Sequence, residues 1–183
     1  NEGHKVDDFN FLNNNISNNY TYGILLENSL SGRLSNFTFE DNTIINNIDS
    51  GGILLINKDN ATSRDFIFHN NLITSNSEDG ICIYNYPAST VSRFTFTNNT
   101  LAGNLGDGLE FTGSSTFADI NLGDATTWGN NSIYQSGEFD LNNNAGINAL
   151  SAQYNWWGQA SGPDLDKLSG DINYTPWLIS NPN

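Results

Sequence analysis

Apolar and polar residues alternate along this chain in short runs that recur with a long period. Phe-x-Phe pairs stand at Phe9/Phe11, Phe37/Phe39, Phe66/Phe68 and Phe94/Phe96. Three residues after each second Phe comes an Asn (Asn14, Asn42, Asn71, Asn99), and five after it an aliphatic (Ile16, Ile44, Ile73, Leu101). Eight after it comes another Asn (Asn19, Asn47, Asn76, Asn104). A Gly then opens a second alternating run: Gly23-Ile24-x-Leu26, Gly52-Ile53-x-Leu55, Gly80-Ile81-x-Ile83 and Gly108-Leu109-x-Phe111.

Period-2 alternation over a few residues, bounded by Asn and Gly, is the signature of strands rather than helices. Each repeat of about 28 residues therefore predicts three short strands joined at corners that tolerate left-handed backbone. Stacked repeats pair each strand with its equivalent about 4.8 Å along one axis. The expected fold is all-β: a right-handed parallel β-helix, a three-sheet solenoid with Phe, Ile and Leu rungs inside. The Asn columns are expected to form side-chain ladders at the corners.

Register weakens after the fourth repeat. Ile120/Leu122 open a fifth, and Phe139/Leu141 and Ile147 belong to later strands. Residues 28–36, 57–65 and 85–93 read as the longer loops. We expect coils over residues 1–153 and a capping segment of the same domain over 154–183. Trp156, Trp157 and Trp177 are suited to cover the last core layer, since an open stack leaves apolar rungs and unpaired edges bare. A sugar-stacking platform is the other use of those rings. No such cover precedes the first Phe-x-Phe, so a longer β-helix or a neighbouring molecule is expected at that end. The chain starts at Asn1 and contains no Met, which fits a processed product or a fragment.

The ending Tyr154-Asn155-Trp156-Trp157-Gly158, then Ser161-Gly162-Pro163 and Tyr174-Thr175-Pro176-Trp177-Leu178, resembles that of many right-handed parallel β-helix repeat proteins of the pectin-lyase-like superfamily. The repeat columns over 9–113 resemble the same group. The resemblance implies the fold but no single activity, because that superfamily spans lyases, hydrolases, epimerases, adhesins and surface proteins. The superfamily's Asn-Thr-Asp, Gly-His-Gly, Arg-Ile-Lys and Asp-Pro-His motifs are absent from this sequence.

Composition narrows the partners. Of 183 residues, 32 are Asn and only 14% are charged, yet 11 Phe, 7 Tyr and 4 Trp demand a core. Net charge is −14 with six Lys and Arg, which disfavours nucleic acid and, without bridging cations, acidic polysaccharides. No apolar run is long enough to span a membrane. The single Cys82 allows no internal disulfide.

Candidate chemistry is sparse. Asp49, Glu78, Asp79 and Asp107 precede the Gly corner in successive repeats, with Glu110 one strand further on. Stacked carboxylates suggest a Ca²⁺ site or a catalytic acid pair, although a solvated acidic corner is the plainer account. Beyond the Gly, the outward-facing positions Leu25, Leu54 and Cys82, flanked by Ile56 and Tyr84, form an apolar interaction face where polar residues are usual. A loop, neighbouring β-helix coils or self-association is expected to cover it. Asn-x-Ser/Thr acceptors occur at Asn15, Asn19, Asn36, Asn60, Asn98, Asn130 and Asn173, compatible with a glycosylated, secreted or cell-surface protein. The expected role is structural, adhesive or glycan-binding, and the alternative is a polysaccharide-acting enzyme, Ca-dependent through the carboxylate strip.

Overall fold

The computed structural model describes residues 4–183; Asn1, Glu2 and Gly3, at the start of the expected coil region, lie outside the described residues. The chain winds as a three-sided solenoid. Its first coil comprises β1 (Lys5–Leu12), β2 (Asn15–Ser17) and β3 (Ile24–Asn28). The second comprises β4 (Arg33–Glu40), β5 (Thr43–Ile45) and β6 (Ile53–Asn57), and the third β7 (Thr62–His69), β8 (Leu72–Thr74) and β9 (Ile81–Asn85). The fourth has β10 (Thr90–Thr97), β11 (Thr100–Ala102) and β12 (Leu109–Gly113), and the fifth β13 (Thr116–Asn121), β14 (Ser132–Tyr134) and β15 (Leu141–Asn143). The tail adds β16 (Leu150–Ser151), β17 (Leu168–Ser169) and β18 (Ile172–Asn173).

Three parallel sheets result. Sheet A stacks β1-β4-β7-β10-β13-β16-β18, sheet B stacks β2-β5-β8-β11-β14, and sheet C stacks β3-β6-β9-β12-β15-β17. The pairing is in register with the repeat: Phe9↔Phe37↔Phe66↔Phe94 and Phe11↔Phe39↔Phe68↔Phe96 run up sheet A. Inside, Phe39, Phe68 and Phe96 lie with ring centroids 4.7 and 4.6 Å apart and nearly parallel planes. Like residues repeated one rung apart must stack this way, and offset-stacked aromatic pairs contribute about 0.5–1.5 kcal/mol each beyond burial.

The corners are held by asparagine. Asn42, Asn71 and Asn99 each donate Nδ2 to the Oδ1 of the next Asn at 2.9, 2.9 and 3.0 Å, the ladder ending through Asn131 on Asn155. A second ladder runs Asn19–Asn47–Asn76–Asn104. A third, Asn28–Asn57–Asn85, closes the corner between sheets C and A.

The loops before sheet A are shorter than the sequence pattern suggests, because residues 33–36, 62–65 and 90–93 already belong to strands. The residue before each first Phe, and before Ile120 in the fifth coil, takes a left-handed conformation: Asp8, Asn36, Asp65, Arg93 and Asp119 have φ between 54° and 60°. That kink breaks the period-2 alternation, so Leu34, Ser63 and Val91 face inward out of phase with the Phe pair and read as loop in the sequence.

At the C-terminal end, Trp157 is 3% exposed and packs into the core, with Trp177 packed against it. Trp156 is half-buried and bridges to Ser132 as a further rung of sheet B. Since β17 and β18 extend sheets C and A, the segment 154–183 continues the stack while its rings close it.

Candidate functional site

The corner between sheets B and C carries the acidic residues. Glycine lets the chain pass close to the next coil here: a Cβ on Gly52 would lie 2.6 Å from the Gly80 carbonyl. Backbone pairing aligns Tyr22, Gly51, Asp79, Asp107 and Phe139 in one column, since each following N–H bonds to the next coil in that order. Asp79 and Asp107 are therefore stacked neighbours. Coil 2 carries one residue more between Asn47 and Gly52 than coil 3 carries between Asn76 and Gly80, so Asp49 falls out of the column and is exposed. Glu78 is exposed too, and its charge adds to burial in raising the Tyr22 hydroxyl above its ordinary range.

Three donor groups converge: a carboxylate oxygen of Asp79, one of Glu110 and Cys82 Sγ lie within 4.8 Å of one another. Cys82 donates its thiol to Glu110 Oε2 at 3.3 Å, and burial, reinforced by Glu110 and Asp79, pushes that thiol well above its ordinary range. Burial likewise raises Asp79 to about 6, with the charges of Asp107, Glu110 and Glu78 adding to the effect and a hydrogen bond from the Asp107 N–H opposing it. A thiol beside two carboxylates is a donor set for a borderline metal such as zinc once deprotonated, whereas Ca²⁺ takes oxygen only.

Most of these oxygens already have structural partners. Asp79 Oδ1 accepts from Asp107 N at 2.7 Å, and Asp107 Oδ1 accepts from Phe139 N at 2.8 Å. Asp107 Oδ2 takes the Asn142 amide at 2.8 Å, and Asp140 Oδ1 accepts from Ser136 N at 2.9 Å. The carboxylates thus satisfy backbone N–H groups that the tight corners would otherwise leave unpaired.

On the outer face of sheet C, Leu25, Leu54 and Cys82 pair in register, as do Ile56 and Tyr84. Leu25 is 53% exposed, Leu54 and Ile56 are half-buried, and the Tyr84 ring packs against Tyr86 at 4.4 Å with the planes tilted by 33°. Cys82, 8% exposed, behaves as a small buried group at the inner end of this face. The described chain leaves the Leu25 end uncovered.

Among the glycosylation acceptors, Asn15, Asn19, Asn36, Asn60 and Asn173 are exposed. Asn19 uses its amide in a ladder, and Asn36 donates to Asp8 at 2.9 Å. Asn98 and Asn130 are half-buried with left-handed backbone.

Sequence patterning missed a further surface. Along sheet A the kink residues and the middle residues of Phe-x-Phe line two continuous shallow clefts of about 310 and 410 Å³ that share Arg93 and Thr95. The only signal for it is the non-aliphatic residue before each first Phe. Asp65 is gripped there by Arg93 through contacts of 2.5 and 2.8 Å, which holds its carboxyl below the usual range.

Residues 4–93 match the family model described as right handed beta helix region. Searches of curated proteins and of solved structures find no match.

Proposed function

This chain is a right-handed parallel β-helix repeat protein, and from that premise we propose a non-catalytic structural and adhesive domain of a secreted or cell-surface protein. One observation carries the reading: Asp79 and Asp107, the stacked pair at the centre of the strip, each accept a backbone N–H at a corner, as Asp140 does in the next coil, so this pair serves the fold. A general acid or base needs a carboxyl aimed at substrate, and these are aimed into the wall. The rigid, ladder-locked faces and the open Leu25–Leu54–Ile56 face suit contact with neighbouring coils, a second copy or a surface glycan.

The test is an assay of hydrolysis and elimination on neutral and acidic polysaccharides, with and without Ca²⁺ and chelator, alongside particle size by light scattering. We expect no turnover. Chelator-sensitive turnover that disappears in Asp107→Asn and Glu110→Gln overturns the reading. It would favour instead a polysaccharide-acting enzyme holding a cation at Asp79, Cys82 and Glu110, the alternative supported by the convergence of those three side chains.

A further inference from the structure

We propose that Asp79, Cys82 and Glu110 bind a thiophilic divalent cation of the zinc class, which clips coils 3, 4 and 5 together at the corner between sheets B and C. This goes beyond the adhesive reading and does not depend on it.

The register of sheet C assembles the donors. Cys82, Glu110 and Asn142 pair rung to rung on its outer side, and Asp79 enters from the corner that precedes β9. A carboxylate oxygen of Asp79, one of Glu110 and Cys82 Sγ lie within 4.8 Å of one another, and Sγ stands 3.3 Å from Glu110 Oε2. Zinc bonds of about 2.3 Å to sulfur and about 2.0 Å to oxygen, at tetrahedral angles, place two such ligand atoms about 3.5 Å apart. The sulfur and Glu110 are thus already spaced for one ion, and Asp79 has to close by no more than about 1.3 Å. Asp79 uses Oδ1 to accept the Asp107 N–H at 2.7 Å; among the described residues its Oδ2 accepts no hydrogen bond and is free to coordinate.

What the corner lacks is a cation. Carboxylates withdrawn from water are normally paired or coordinate metal. Among the described residues every ion pair is made by Asp7, Glu27 or Asp65, and none by Glu78, Asp79, Asp107 or Glu110. Asn142 points the same way. It is 8% exposed, and its amide is aimed into the cluster, donating to Asp107 Oδ2 at 2.8 Å and to Glu110 Oε1 at 3.4 Å. Its buried Oδ1 has no donor. A buried acceptor left unpaired is costly. A water held on the ion, in the fourth position that three protein ligands leave open, supplies the missing hydrogen bond.

Sulfur selects the metal. Ca²⁺ and Mg²⁺ take oxygen ligands, whereas a thiolate favours zinc and its chemical neighbours cobalt and cadmium. On binding, the Cys82 S–H bond breaks, a sulfur lone pair forms the metal–sulfur bond and the proton leaves to solvent, with no change of oxidation state. Asp79 and Glu110 are half-buried, which leaves the ion a way in from solvent although Cys82 itself is buried. Because the ligands come from β9, β12 and the corner before β9, with Asn142 on β15, an ion here binds only the wound chain and stabilises it by linkage.

The experiment is titration of the intact, chelator-stripped chain with Co²⁺ under reducing conditions, followed by competition with Zn²⁺ or Ca²⁺ and by melting curves. We expect a thiolate-to-cobalt charge-transfer band in the near ultraviolet and visible bands of tetrahedral cobalt, displaced by Zn²⁺ and not by Ca²⁺. Zn²⁺ should also raise the melting point by several degrees. Cys82→Ser should abolish the charge-transfer band, and Cys82→Ser and Glu110→Gln should each weaken Zn²⁺ binding, read by calorimetry, at least tenfold, about 1.4 kcal/mol. Asp49→Asn, at the exposed acid outside the column, should bind as the parent does. Circular dichroism of each variant verifies the fold. Absence of the band, its displacement by an equal concentration of Ca²⁺, or Zn²⁺ affinity unchanged in Glu110→Gln overturns the site; none of these touches the adhesive reading. Polysaccharide turnover that requires Zn²⁺ and is lost in Cys82→Ser supports the site and ends the non-catalytic reading instead.

Discussion

Asparagines inside a ladder use both ends of the amide. Asn71 donates Nδ2 to Asn99 Oδ1 and to the Phe39 carbonyl, while its Oδ1 accepts from the backbone and side-chain amides of Asn42. Replacing it with Ala strands several buried groups at once. We expect Asn71→Ala to cost about 3 kcal/mol, read by denaturant unfolding, since each unsatisfied group costs about 1–3 kcal/mol. Asp79 gives a pH test. Its folded form titrates near 6, above the ordinary carboxyl value of about 3.9. Between those pH values the folded chain keeps a proton that the unfolded chain has lost, so this group's contribution falls as pH rises through the window. Asp79→Asn should leave stability unchanged below pH about 4 and raise it on the order of 1 kcal/mol at pH 7, discounted for partial exposure. Melting temperature against pH, parent versus variant, checks this. At this scale the sequence was legible wherever spacing held: the Asn14 and Asn19 columns stand out at 28-residue steps. Asn131 and Asn155 escaped, because their ladder partners lie 32 and 24 residues away.

The strands of sheet A show how an element can be half visible. Their Phe-x-Phe halves declare themselves, while the kink at Asp8, Asn36, Asp65, Arg93 and Asp119 shifts the alternation and hides the other half. The same kink conceals the cleft, whose lining has no apolar period to betray it. The inner stack invites a graded test. Phe68, 1% exposed and sandwiched between Phe39 and Phe96, should cost about 3–5 kcal/mol as Phe68→Ala. Phe9, 45% exposed on the first rung, should cost far less as Phe9→Ala, about 1 kcal/mol. Equal losses from the two would mean that the rungs are not packed as described. At the other end Trp157→Ala removes a ring from the last core layer, and a loss of about 3 kcal/mol is expected by chemical denaturation.

Across the molecule, protection follows position in the stack. β1 has one outward-exposed edge and an exposed Val6, Phe9 and Leu12, whereas β7 and β10 are paired on both sides. Hydrogen exchange should therefore be slowest in coils 3 and 4 and fastest in β1, because local opening is cheapest where few buried contacts must break. The apolar face on sheet C was legible as a column of Leu25, Leu54 and Cys82. What alternation alone did not reveal is that Cys82 is buried beside Glu110 while Leu25 is open. The acidic strip was half legible: Asp79 and Glu110 do converge, with Asp107 stacked on Asp79, but the extra residue between Asn47 and Gly52 removes Asp49 from the set. If the Leu25 face joins copies or coils, Leu25→Asp with Leu54→Asp should shrink the particle seen by light scattering without lowering the melting point by more than a few degrees.

That extra residue has a consequence for building on this scaffold. The corner near Asp49 takes up an additional amino acid while the sheets on either side keep their pairing, so chain length there is uncoupled from the pitch of the winding. A peptide epitope or tag spliced between Ile48 and Ser50 should be displayed outward with the neighbouring rungs undisturbed.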